Sequence, residues 1–322
     1  MTGAGRLLIL DRLKTTGWLV LALLTLVAAP SWSVAETRKI RVRTLGETET
    51  VDWHRAWSII DGDLIRNIME GLVGLDSQMK IAPALASSWT ISEDGRTYTF
   101  KLKPGVKWTD GVPLKAQDFV NGWRRLLSPM MGAQYADLLM DVEGAEFYRK
   151  AQLQDFTAVG IKALDDQTFE VKLKARNEVW LWNLAFWPTY PIRQDLVDRH
   201  GSAWIKPGNL VTLGAYALTS QDEGRNFVLT RNPSYHGQTG NIEQVTVSFI
   251  PSDEAAIAQY QAGQLDLLPR LSSSSLEKLR GRKDLQDYPG YRILKLAINS
   301  QRFPGSNVLF RKAIAQAINR SA

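Results

Sequence analysis

The sequence predicts an α/β fold, because two periodicities alternate along the chain with turn chemistry between them. Tyr98, Phe100 and Leu102 alternate with Thr97, Thr99, Lys101 and Lys103, and Phe169, Val171 and Leu173 alternate with Glu170, Lys172 and Lys174. A period of two marks a strand with one buried face. Leu64, Ile65, Ile68, Met69 and Leu72, and later Phe119, Val120, Trp123, Leu126 and Leu127, instead recur at helical spacing. Glu93-Asp94-Gly95-Arg96, Pro104-Gly105 and Asp110-Gly111 punctuate these runs. Gly95 is free to take the positive φ that a tight reversal requires.

The 322 residues are 44% hydrophobic and 22% charged, an ordinary globular composition with room for one large domain or two to three smaller ones. The formal net charge of +6 is spread along the chain. No Lys/Arg run is present to track phosphates, so nucleic acid is not an expected partner. The absence of cysteine excludes disulfides, thiolate metal sites, cysteine nucleophiles and a lipid anchor on a terminal cysteine.

Taken in order, residues 1–35 read as a secretory signal. Arg6, Arg12 and Lys14 precede the apolar core Gly17–Ala29, which is short for a bilayer span, and Ser33-Val34-Ala35 places small residues before a cleavage point after Ala35. Ile40, Val42 and Thr44 predict the first strand of the mature protein. Trp89 and Ile91 predict a strand paired with Thr97–Lys103. A helix is expected to begin at Lys115, whose side chain offers no acceptor to the free N–H groups. Another helix is expected within Tyr135–Tyr148, and a hairpin over 159–174 with its turn at Asp165-Asp166. Gly214-Ala215-Tyr216 leads into a strand, Arg231-Asn232-Pro233 closes the next, and Glu254–Gly263 predicts a helix before the strand GQLDLLP. Ile293, Lys295 and Ala297 alternate as a strand, and a helix from Phe310 carries the apolar face Ala313, Ile314, Ala317 and Ile318.

No catalytic constellation emerges. His54, His200 and His236 lack metal-ligand spacing, no Gly-x-Ser-x-Gly elbow or phosphate loop occurs, and Asp61, Asp63, Asp165 and Asp166 stand at turns and helix starts. The chain therefore reads as a non-enzyme with no cofactor and no metal. Most of its eleven tryptophans are expected in the core.

EGLVGLD at 70–76, then PALASSW, SEDGRTYTFKLKPGVKWTDG, PLKAQDFV and WRRLL, resemble the N-terminal lobe of the family 5 extracytoplasmic solute-binding proteins. HGSAWIKPGNLVTLGAY, FVLTRNPSYHG and IEQVTVSFIPS resemble the oligopeptide-binding branch, and VLFRKAIAQAINR resembles the opening of its second lobe. Lys115 and Leu213 depart from the pattern. The resemblance implies a type II periplasmic-binding-protein fold, two-lobed with mixed sheets. It divides the chain into signal peptide (1–35), first lobe (36–60 and 178–290), inserted subdomain (61–177) and the start of a truncated second lobe (291–322). It further implies a periplasmic, monomeric receptor that binds oligopeptides between its lobes and delivers them to an ABC permease of the inner membrane. Dipeptides, murein peptides or another small solute are the alternative ligands, and a truncated remnant without transport activity is the alternative role.

By the same resemblance, Trp57, Ser58 and Ile59 fall where the first-lobe ligand strand lies, and Tyr135, Arg270 and Arg292 face the cleft. Two arginines there need anionic partners, either Asp266 or Asp287 within the chain or an acidic group of the ligand. The groups that grip peptide termini would belong to the second lobe.

Overall fold

The computed structural model describes residues 38–286 and 296–319. The signal segment, Asp287, Arg292 and most of the strand expected at 293–297 lie outside the described residues. In chain order the elements are β1 (Arg38–Thr44), α1 (Ile59–Ile68), β2 (Val73–Leu75), β3 (Ile81–Pro83), β4 (Ala86–Ile91), β5 (Thr97–Leu102) and α2 (Ala116–Leu127). Then come α3 (Ala145–Arg149), β6 (Ile161–Asp165), β7 (Thr168–Lys172), α4 (Leu181–Leu184), α5 (Gln194–His200), β8 (Tyr216–Asp222), β9 (Asn226–Arg231) and β10 (Ile242–Phe249). Three helices follow: α6 (Asp253–Gln261), α7 (Ser273–Leu279) and α8 (Val308–Ala317).

Two four-stranded sheets carry the fold. One has the order β1-β10-β9-β8, with β1 parallel to β10 and the other pairs antiparallel, so the sheet is mixed. The other, β4-β5-β7-β6, is wholly antiparallel. Its inner face is made by the residues that the alternation selects: Tyr98, Phe100, Leu102, Phe169 and Val171 are all buried. Helix α2 lays Phe119, Trp123, Leu126 and Leu127 on that face. Trp123 meets Phe169 edge-on at 5.0 Å and donates its indole N–H to Thr189 O at 2.8 Å. A buried aromatic of this kind contributes about 3–5 kcal/mol relative to alanine. Helix α2 starts at Lys115 without a side-chain cap. The Asp118 carboxylate instead accepts the Lys115 backbone N–H at 3.0 Å.

Gly95 (φ 69°), Gly105 (φ 75°) and Gly111 (φ 86°) adopt the left-handed conformations expected of their turns. Gly214 is required for a different reason: its N–H donates to Ile68 O at 2.8 Å, and a Cβ there would lie 2.6 Å from the Met69 nitrogen. The turn before β8 is thereby pressed onto the end of α1.

Two expected elements differ. No continuous helix forms within Tyr135–Tyr148; a 3-10 turn at Ala136–Leu139 and the short α3 are separated by Gly144, which takes φ 76°. The GQLDLLP segment forms one parallel bridge, Leu267 to Val42, instead of a strand of its own. Helix α8 forms, and none of its residues is buried.

Candidate functional site

The site is built around the N-terminal turn of α1. Ser58 caps the helix: its hydroxyl accepts the Asp61 N–H at 3.1 Å, and the fully buried Asp61 reaches back to the Ser58 N–H. The other oxygen of Asp61 accepts the Glu49 N–H at 2.9 Å, which pins the loop after β1 onto the same turn. Trp57, Ser58 and Ile59 are therefore a loop end and a helix start, not the strand that the sequence comparison of positions suggested. The cause is the reciprocal capping by Ser58 and Asp61, which fixes the local backbone.

On this turn Trp57 is 47% exposed and Ile59 60% exposed, which is unusual for residues held so firmly. The Trp57 indole N–H donates to the Glu49 carboxylate at 2.8 Å, and its carbonyl accepts the Tyr135 hydroxyl at 3.0 Å. Tyr135 is itself wedged edge-on against Phe186 and Trp187 at 5.1 and 6.0 Å. Among the described residues nothing accepts the Trp57 backbone N–H. The result is a fixed, outward-facing segment with an available backbone donor and two apolar side chains.

Arg270 joins from the segment after Leu267. Its expected partner was Asp266 or Asp287; its actual partner is Asp63, at 2.5 Å, one helical turn after Ile59. Asp266 is already taken by Arg41, which grips it through two side-chain N–H groups at 2.9 and 3.0 Å. Thus Trp57, Ile59, Tyr135 and Arg270 gather round one helix end, while Arg292 is outside the described residues. Behind α1, a cavity of about 330 Å³ runs along the mixed sheet, lined by Val42, Phe227, Leu229, Val247, Asp63 and Arg270 among others.

Two polar clusters that sequence reasoning did not assemble hold this frame. The Asp52 carboxylate takes both Arg125 terminal nitrogens, at 2.8 and 2.6 Å, and Arg125 donates to His54 Nδ1 at 2.9 Å. His54 Nε2 then faces Tyr190 O at 3.4 Å, so the ring is neutral with its proton on Nε2. Burial and then the Arg125 charge push His54 down to about 3. Burial alone would raise Asp52, but the Arg125 hydrogen bonds and charge outweigh it and hold the carboxyl below its usual value. In the second cluster, Glu70 at the end of α1 accepts from the Tyr235 hydroxyl and meets His236 Nε2 at 2.8 Å. Burial and the Glu70 contact raise the Tyr235 phenol. Among the described residues no group of three or more histidine or carboxylate side chains is arranged to hold a metal ion.

The family model described as bacterial extracellular solute-binding proteins, family 5, matches residues 80–322, well over half of the chain. The chain belongs to that family. The periplasmic oligopeptide-binding protein OppA of Escherichia coli is 30% identical over 296 residues, covering 89% of this chain and 54% of the relative. A probable deoxycholate-binding periplasmic protein, YgiS, of the same organism matches with the same identity and coverage. The solved structure of Haemophilus influenzae OppA in complex with RPPGFSPFR is 29% identical with a TM-score of 0.76, over 88% of this chain and 56% of that one. The fold is accordingly that of the type II periplasmic binding proteins, and the chain spans about half the length of the curated relatives it matches. The two Escherichia coli relatives are both named as periplasmic binding proteins. Among the described residues no helix is long and apolar enough to cross a membrane.

Proposed function

We propose that this chain forms one wall of a periplasmic receptor that captures oligopeptides and delivers them to an ATP-driven permease of the inner membrane. The observation that carries the reading is the fixed, exposed segment at Trp57 and Ile59, where a backbone N–H stands open beside two apolar side chains. An extended peptide can pair its backbone with such an edge whatever its sequence, while the side chains add contact without demanding one residue type. Tyr135 and Asp61 hold the segment before any ligand arrives, so little ordering is left to be done on binding. The names of the relatives support peptides as the ligand class, and their periplasmic naming supports export.

A single wall binds weakly. If the missing contacts of the opposing wall are worth about 4 kcal/mol, affinity falls roughly a thousandfold. The test is therefore one that reads weak binding: amide and indole shifts of the 322-residue chain titrated with trialanine and, separately, with deoxycholate. Trialanine is expected to shift the Trp57 indole and the Ile59 amide, with saturation only at high concentration. Tight peptide binding by this chain alone would refute the one-wall reading. A response at these positions to deoxycholate but not to trialanine would replace the peptide with an amphipathic acid.

A further inference from the structure

Trp57 is exposed, yet its polar groups are already engaged. Its indole N–H donates to the Glu49 carboxylate at 2.8 Å, and its carbonyl accepts the Tyr135 hydroxyl at 3.0 Å. What the residue offers a ligand is therefore the carbon surface of its rings, together with its backbone N–H. A free tryptophan side chain at a surface samples several rotamers. A ligand that needs one of them must supply the ordering, which lowers its affinity. The hydrogen bond from Glu49 removes that need in advance.

The pairing of Glu49 with Trp57 is built by the segment between them. Val51, Asp52, Trp53 and His54 are all but fully buried, and the Asp52 carbonyl accepts the Arg55 and Ala56 N–H groups at 2.8 Å each. The chain thus turns back on a rooted loop whose two ends, Glu49 and Trp57, meet at the surface. Glu49 is anchored from a second side, because its backbone N–H donates to the buried Asp61 that also closes the cap of α1. Its side chain stands in solvent, so the hydrogen bond to the indole adds little to folding stability. What that bond fixes is the direction of the ring.

We propose that Glu49 is a positioning residue. Through the indole N–H it holds Trp57 in the orientation that receives an apolar side chain of the bound peptide, and so gives the site a preference for such side chains. Area buried against a ring already in place needs no further ordering. An aromatic side chain gains most, from its buried area and from ring-to-ring contact. The preference rests on the peptide reading above; the hold of Glu49 on Trp57 does not.

The experiment reads the two separately on the 322-residue chain. Without ligand, the Trp57 indole N–H resonance, assigned by its loss in Trp57→Phe, reports the hold. Glu49→Ala should move it toward the position of a solvent-exposed indole and quicken its exchange with water, and Glu49→Gln, which keeps an acceptor, should largely restore it. The Asp61 contact is made by the backbone of residue 49 and survives both substitutions. With ligand, Ala-Phe-Ala is expected to bind the native chain about tenfold more tightly than trialanine. Glu49→Ala should cut that ratio about fivefold, and Glu49→Gln should bring it back to within about twofold of native. In a Trp57→Phe background, which keeps a ring without the N–H, Glu49→Ala should change the ratio no further. An indole resonance indifferent to Glu49→Ala, equal affinities of the native chain for the two peptides, a ratio that survives Glu49→Ala, or the same loss in the Trp57→Phe background would each overturn the positioning role. If neither peptide binds the native chain, the peptide reading falls and the preference with it, while the indole resonance still decides whether Glu49 holds Trp57.

Discussion

Acid should unfold this protein through His54, and the size of the effect follows from its surroundings. The ring is buried and neutral, with Nδ1 accepting from Arg125 and burial and the Arg125 charge holding its pKa at about 3. In the unfolded chain the same group titrates near the ordinary histidine value of 6.5. As pH falls below 6.5 the unfolded state takes up a proton that the folded state refuses, so folding stability is full above that value and declines below it. The slope approaches 1.4 kcal/mol per pH unit, which removes about 2 kcal/mol between pH 7 and pH 5. Asp52, held below its usual value, adds a loss of the same sign at still lower pH. The assay is chemical denaturation at a series of pH values for the native chain and for His54→Gln, which keeps an acceptor for Arg125 but cannot titrate. The variant starts less stable because the fit is poorer. Its stability should nevertheless vary less with pH between 5 and 7, by close to one proton. An unchanged pH slope would show that His54 is not neutral in the folded state and would refute the argument.

Two further outcomes are expected. Gly214→Ala should destabilise the chain by about 1–3 kcal/mol, because its Cβ would press on the Met69 nitrogen and the Asn67 carbonyl; thermal denaturation would read the loss. Lys115→Ser should add an acceptor at the start of α2 and stabilise by up to about 1 kcal/mol, less whatever the exposed Lys115–Asp166 pair contributes, and a denaturant midpoint that does not rise would count against it.

The elements that were legible in the sequence are those whose signal is local. Strands β5 and β7 and helix α2 declare themselves because each buries a regular subset of its own residues. Ser58-Ile59-Ile60-Asp61 carries a local signal of the same kind, a serine with an acidic residue three positions on, which is the pattern of a capped helix start. The expected helix at 135–148 failed because Gly144 takes a left-handed conformation that divides it. What no local pattern could show is pairing across the chain. Asp52 meets Arg125 and Glu70 meets His236 only after the sheets have brought distant segments together.

The charge of the site follows from those long-range pairs. From the sequence alone, Arg270 needed an anionic partner, either an aspartate within the chain or an acidic group of the ligand. In the fold Arg270 is matched by Asp63, which also takes Arg66, and Arg41 is matched by Asp266. Both residues of the Arg270–Asp63 pair are partly exposed, so the pair itself is worth no more than about 1 kcal/mol. Exchanging Asp63 for a ligand carboxylate would replace one solvated partner with another and gain close to nothing. The negative charge beside Trp57 is different: Glu49 is tied to a neutral indole and Glu47 to a neutral backbone N–H, so neither carboxylate has its charge offset by its hydrogen-bond partner.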